Sequence, residues 1–161
     1  MLVLSLIGQS LTVGFLIVTA VYDARHLRIP NPWVLAMLVL YLLSQGPLGF
    51  PFWKSDLLIG AVLFGLGFVM WMLRSLGAGD AKLMLPLGMH LGLAGATFFA
   101  VALLMISVLF FLAIQIAGRT NPRSALGQWL ATMKSSGKVP YGVPLAIAAV
   151  PVLVAKLIVI A

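Results

Sequence analysis

Long apolar stretches separated by short polar ones run through the chain. Met1 to Tyr22 carries no charged residue, and a stretch of that length can cross a hydrocarbon core, which takes roughly 20 residues. A cleaved leader would want a basic start and an A-x-A-like exit. Neither is present, so Leu2–Tyr22 reads as a retained first helix. Asp23 to Pro32 reads as a polar loop, because Pro30 and Pro32 each disfavour helix in the residue before them. A second span starts near Trp33 and fades at Gly46 and Pro47. Lys54, Ser55 and Asp56 read as the next loop, Leu57–Leu73 as the third span, and Arg74 to Lys82 as a tight loop.

Leu83 to Gly118 holds no Lys, Arg, Asp or Glu. As one helix it would measure about 54 Å against a core of about 30 Å. The pattern therefore predicts a fold-back, with Gly88, Gly92 and Gly95 offering the turn. That yields a short fourth helix, Asp80 to Leu91, and a full fifth, Ala94–Ala117. The fourth is only about 18 Å long, so its ends should meet protein or a wet cavity. Arg119–Pro140 is the longest polar segment. Within it Ala125, Leu126, Trp129, Leu130 and Met133 form a helical stripe flanked by Arg123 and Lys134. This predicts an amphipathic helix in the membrane interface, either a plain connector or a border of a substrate groove. Tyr141–Ile160 is the last span, with Lys156 near its end, where a lysine can snorkel. The expected fold is an all-α integral membrane protein. It has six transmembrane helices, the fourth short, an interfacial segment between the fifth and sixth, and one domain over residues 1–161.

Charge orients this layout. The loops after helices one, three and five hold Arg25, Arg28, Arg74, Lys82, Arg119, Arg123, Lys134 and Lys138, leaving Lys54 and Lys156 for the other side. Basic residues concentrate in cytoplasmic loops, so these loops are predicted cytoplasmic and both termini outside. A single helix across 83–118 would send four basic residues to the wrong face. The net charge of +7 is then a topology signal, and no nucleic-acid partner is called for.

Composition narrows the chemistry. Of 161 residues, 63% are hydrophobic and 8% charged, against about a quarter charged in soluble domains. There is no Cys, hence no thiol nucleophile and no Cys-ligated metal, and with only two His a three-His metal site is impossible. Without Glu there is no HExxH zinc protease. Acid–base chemistry would fall to Asp23, Asp56 and Asp80, the only three acids. The layout sets Asp23 and Asp80 at one membrane face and Asp56 at the other. Two carboxylates sharing a site do not both ionise easily. Such a pair can activate a water and protonate a leaving amine. Gly77 and Gly79 beside Asp80 let backbone and substrate approach closely, and Lys82 and Arg74 could bias Asp80 toward its ionised form. The plainer readings are that Asp80 caps a helix and that Asp23 is a solvated loop residue. His90, about 15 Å along a helix from Asp80, is expected near the opposite side. His26 is expected to face headgroups or substrate.

Gly77-Ala78-Gly79-Asp80, followed by Ala81-Lys82-Leu83, resembles the GxGD signature of intramembrane aspartyl proteases. Asp23 followed after five residues by Ile29-Pro30-Asn31 resembles the first catalytic region of the type IV prepilin peptidases, and Pro140-Tyr141-Gly142 resembles an element of their short members. The three motifs fall in the family's order over roughly residues 20–145. Presenilin-like proteases, loosely matched by Tyr22-Asp23 and GxGD, are much longer and lack the Ile-Pro-Asn pattern. The resemblance implies catalytic roles for Asp23 and Asp80, with no metal or cofactor. It also implies a prepilin substrate whose basic leader is cut at the cytoplasmic face of the bacterial inner membrane. Lacking paired Cys motifs and an N-terminal methyltransferase region, the chain resembles the peptidase-only members that serve Flp-type (tight-adherence) pili. The rival readings are a small ion or solute carrier, whose acids would favour the midplane, and a non-catalytic secretion subunit, which would tolerate Asp→Asn. The oligomeric state is not legible.

Overall fold

The computed structural model describes residues 1–119 and 124–160. Arg123, placed above beside the amphipathic stripe, lies outside them. The described residues are helical with no strand. The helices are α1 (Leu2–His26), α2 (Asn31–Gln45), α3 (Trp53–Met72), α4 (Ala78–Ala117), α5 (Ala125–Ser136) and α6 (Gly142–Ile160), and a 3-10 turn, Gly46–Leu48, follows α2.

The distribution of polarity is that of a membrane protein. Ser5, Thr12, Thr19, Ser44 and all three acids are buried, while Leu35, Leu58, Phe98 and Leu104 are well exposed. Polar side chains turned inward and apolar ones outward suit a lipid surround, where intramembrane polar groups face the bundle interior. Leu16, Met37, Leu83, Leu87, Leu91, Phe99 and Leu145 fill the centre. Four described helices are long and apolar enough to cross a membrane: Leu2–His26, Trp53–Met72, Ala78–Ala117 and Gly142–Val159. Length and composition therefore establish four candidate spans where six were expected. The difference lies in α2, which has 15 residues, and in α4, whose two halves form one element.

Two helical stretches join inside α4 at a kink, where Gly92 has φ 60° and ψ −175°. That left-handed φ is open to glycine without steric penalty. The contacts on either side give the direction of each half. In the first, Gly88 meets Gly60 of α3, where an added Cβ would stand 2.7 Å from the Gly60 Cα. The pair of glycines thus lets the two backbones touch. In the second, Gly95 lies against Val152 of α6, Ser107 accepts from the Tyr141 hydroxyl at the start of α6 (3.1 Å), and Phe110 packs on Trp129 of α5. The chain thus runs away from Asp80 to Gly92 and back toward α5, the fold-back read from the apolar run.

The helix ends differ from the loops expected. α1 continues through Asp23 to His26 and stops where Leu27 turns left-handed, its N–H donating to the Asp23 carbonyl. Asp23 is therefore a helical residue, not a loop one. Arg25 and His26 fill the last turn, where cations suit the helix dipole. α3 begins at Trp53 and α4 at Ala78, so Lys54, Ser55 and Asp56, and likewise Asp80, Ala81 and Lys82, are helical. Asp56 and Asp80 sit in first turns, where acids are favoured by the same dipole.

Candidate active site

Asp23, in the last turn of α1, and Asp80, in the first turn of α4, meet at one end of the bundle. They are 3% and 6% exposed, and each carboxylate lies within the other's field. Burying a carboxylate is costly unless donors receive it. The first donor comes from α6: the Gly142 N–H gives a 2.9 Å hydrogen bond to Asp23 Oδ2. Being the first residue of α6, Gly142 has an N–H with no partner inside its own helix. The same N–H lies by the Asp80 carboxylate, together with the N–H groups of Gly77 and of Asp80 itself. Asp80 Oδ1 has no hydrogen-bond partner among the described residues.

The three separated motifs form one object. A Cβ on Gly142 would lie 2.9 Å from Asp23 Oδ2 and 3.1 Å from Asp23 Cβ. One on Gly77 would lie 2.6 Å from Asp80 Oδ2, and one on Gly79 would lie 3.0 Å from the Ile29 Cβ and 3.2 Å from its backbone N and O. The glycines of the Gly77–Asp80 turn thus make room for the Asp80 carboxylate and for the Ile29-Pro30-Asn31 strap. Lys82 ties that strap down, donating from Nζ to Asn31 Oδ1 at 3.0 Å. Pro30 precedes α2 in an extended conformation. Pro140 is fully buried and its carbonyl accepts from the Val143 N–H, which sets the entry to α6.

Two cavities flank the carboxylates. One, about 370 Å³, is lined by Arg28, Ile29, Pro30, Asn31, Gly79 and Lys82 beside Asp23 and Asp80. The other, about 250 Å³, is lined by Arg74, Ser75, Gly137, Lys138, Val139 and Tyr141 beside the same pair. The acids stand where the two meet. α5 itself lines neither cavity. Its Ser124 cap accepts from the Gly127 N–H, Met133 is buried, and Trp129 donates to the Ala24 carbonyl at 3.2 Å. The stripe therefore docks α5 against the end of α4, where Phe110 meets Trp129, with the Trp129 bond tying it to the end of α1, and the residues after it, Gly137 to Tyr141, form the wall.

The remaining polar residues lie elsewhere. His26 stacks on Tyr22 outside both cavities. Asp56 and His90 are at the far end of the bundle: Asp56 Oδ2 accepts from the Tyr41 hydroxyl at 2.8 Å, and His90 Nε2 contacts the Met37 carbonyl. A carbonyl only accepts, so His90 Nε2 carries a hydrogen. Lys156, expected to snorkel outward, instead turns inward and donates to the His90 and Leu91 carbonyls at 2.8 and 3.2 Å. The sequence reading missed this because the break at Gly92 that frees those carbonyls was not placed at one residue. Among the described residues, no group of three His or Asp side chains converges as a metal ligand set.

The profile of the Type IV leader peptidase family matches residues 10–118. No curated protein and no solved structure matches the chain. Matched over more than half its length, from α1 through the fold-back and across both Asp23 and Asp80, the chain belongs to the type IV leader peptidase family.

Proposed function

We propose that the chain is a membrane aspartyl endopeptidase in which Asp23 and Asp80 do the chemistry. The observation that carries this reading is the meeting of two buried carboxylates at the junction of two cavities, around one backbone N–H. Family membership supplies protease activity on leader peptides.

In the reaction, one carboxylate is charged and the other holds a proton. The charged one takes a proton from a water as its oxygen attacks the scissile carbonyl carbon. The protonated one gives its proton to the departing amine. The pair titrates as a unit, so neither role is assigned to one residue. Gly142 N–H holds Asp23 in place, and the buried Asp80 Oδ1 has no hydrogen-bond partner among the described residues, which leaves it available to a reacting group. The two cavities take the chain on either side of the cut.

The substrate is a prepilin of the Flp type, with its basic leader cut on the cytoplasmic side. Six crossings, with α2 and each half of α4 counted separately, put both termini outside. The basic residues around the site, Arg28, Arg74, Lys82 and Lys138, support that orientation through the positive-inside rule. No metal or cofactor enters the reaction.

Co-expression with a Flp-type prepilin tests the reading, the leader being followed by gel shift. Asp23→Asn and Asp80→Asn should each abolish cleavage, and Asp56→Asn, at the far end of the bundle, should leave it in place. Cleavage that survives Asp80→Asn would move the carrier or scaffold reading ahead.

A further inference from the structure

A second polar assembly, unused by the reaction, sits at the far end of the bundle. The first half of α4 ends at the Gly92 break, which frees the carbonyls of its last turn. In lipid such carbonyls have no water to meet. Lys156 of α6 supplies the donors, bonding both the His90 and Leu91 oxygens. Asp56 provides the counter-charge to the Lys156 ammonium, and Tyr41 of α2 anchors Asp56. An added Cβ at Gly92 would stand 2.6 Å from Asp56 Oδ1 and 3.7 Å from Lys156 Nζ, so both charged groups close on the break itself.

α6 is thereby fastened at two points. Lys156 grips the end of the α4 half that carries Asp80. At the other end of the same helix, the Gly142 N–H grips Asp23. Pro151 lies between the two points and gives no N–H to the helix, so packing carries the coupling: Leu145, Ala148 and Ala149 are fully buried and Leu153 nearly so. Resting on the reading of Asp23 and Asp80 as the reacting pair, we infer that Lys156 is a positioning residue: by capping α4 at the Gly92 break it sets the register of α6 and so holds the Gly142 N–H against Asp23.

The test replaces Lys156 with Met, which keeps the apolar stem and removes the donors, and with Arg, which keeps them. Lys156→Met should lower kcat for prepilin cleavage at least tenfold with KM within twofold of wild type. The Gly142 amide proton resonance in detergent should move away from its carboxylate-bonded position. Lys156→Arg should stay within threefold, and so should Asp56→Asn, which leaves the lysine its carbonyl partners.

The chain has no Cys, so a disulfide can replace the missing fastening. A Cβ on Gly95 would lie 2.9 Å from Val152 Cγ1, which allows a Cβ–Cβ distance of about 4 Å. Oxidised Gly95→Cys/Val152→Cys should restore kcat to Lys156→Met. Wild-type kcat and an unmoved Gly142 resonance in Lys156→Met would overturn the inference. So would failure of Lys156→Met to accumulate with no recovery by the oxidised pair, which would make Lys156 a folding residue. If the wild type cleaves no prepilin, the peptidase reading fails, while the Gly142 resonance still reports on the coupling.

Discussion

Gly142→Ala is the sharpest single perturbation of the site. The added methyl would meet Asp23 Oδ2 at 2.9 Å, Cβ at 3.1 Å and Cγ at 3.2 Å. No flexible side-chain end is there to yield. Asp23 is 3% exposed and its oxygen is held by the very residue that would push it. Either the carboxylate or the start of α6 has to shift by several tenths of an ångström, and the 2.9 Å hydrogen bond lengthens or breaks. A hydrogen bond to a charged group contributes about 1.5–3 kcal/mol, and each 1.36 kcal/mol on a barrier is about tenfold in rate. If the bond orients a reacting group, kcat for leader removal falls about 10- to 100-fold. Gly65→Ala serves as the control, because an added Cβ there meets nothing within 4 Å and alanine favours helix by up to about 1 kcal/mol. The assay is cleavage of purified prepilin in detergent or nanodiscs, with initial rates read by mass spectrometry and folding checked by thermal melting. A folded Gly142→Ala protein with kcat within twofold of wild type would refute the reasoning, since the methyl would then be accommodated without disturbing Asp23.

Gly79→Ala pushes against the Ile29 backbone at 3.2 Å and should lower kcat/KM about tenfold by lifting the strap from the turn, in line with the sensitivity of catalysis to small displacements; the same assay reads it. Gly88→Ala drives a methyl into the Gly60 backbone and should destabilise by about 1–3 kcal/mol, seen as a lower melting temperature. Lys82→Ala removes the tie to Asn31 at an exposed position, so melting should hardly change while KM rises several-fold as the strap loosens.

The parts of this site differ in how openly the sequence declares them. With three acids in a chain of 161 residues, the membrane layout alone pairs Asp23 with Asp80 and sets Asp56 apart, and the geometry brings the first two together. The fold-back was visible because no bilayer fits the apolar stretch from Leu83 to Gly118, but three glycines could have made the turn and only the backbone shows that Gly92 does. Helix boundaries were misread for one reason. A charged residue looks like the end of a span, yet acids in a first turn and cations in a last turn complement the helix dipole. Asp23 and Asp56 fall inside helices on this account, and α4 starts at Ala78, just before Asp80, where the fourth helix was expected to begin. Lys156 was misread more deeply. Nothing in its neighbourhood, Val154 to Ile158, distinguishes a lysine reaching for headgroups from one capping a distant helix.

The position of the glycines follows from the scarcity of polar side chains. A carboxylate buried in an apolar bundle needs donors, and this chain offers few. The N–H groups left free at helix starts are donors that every helix carries, and the site uses those of α4 and α6. A backbone N–H reaches a buried oxygen only if the backbone comes within hydrogen-bonding distance of it, and then a Cβ at that residue collides with the acid. Gly77 and Gly142 satisfy this condition against Asp80 and Asp23 respectively. The glycines of the turn and of the Pro140-Tyr141-Gly142 element are therefore a steric consequence of solvating two acids with main chain. At the far end the same shortage is met in the opposite sense: the freed groups are carbonyls, and the donor has to be a side chain, Lys156.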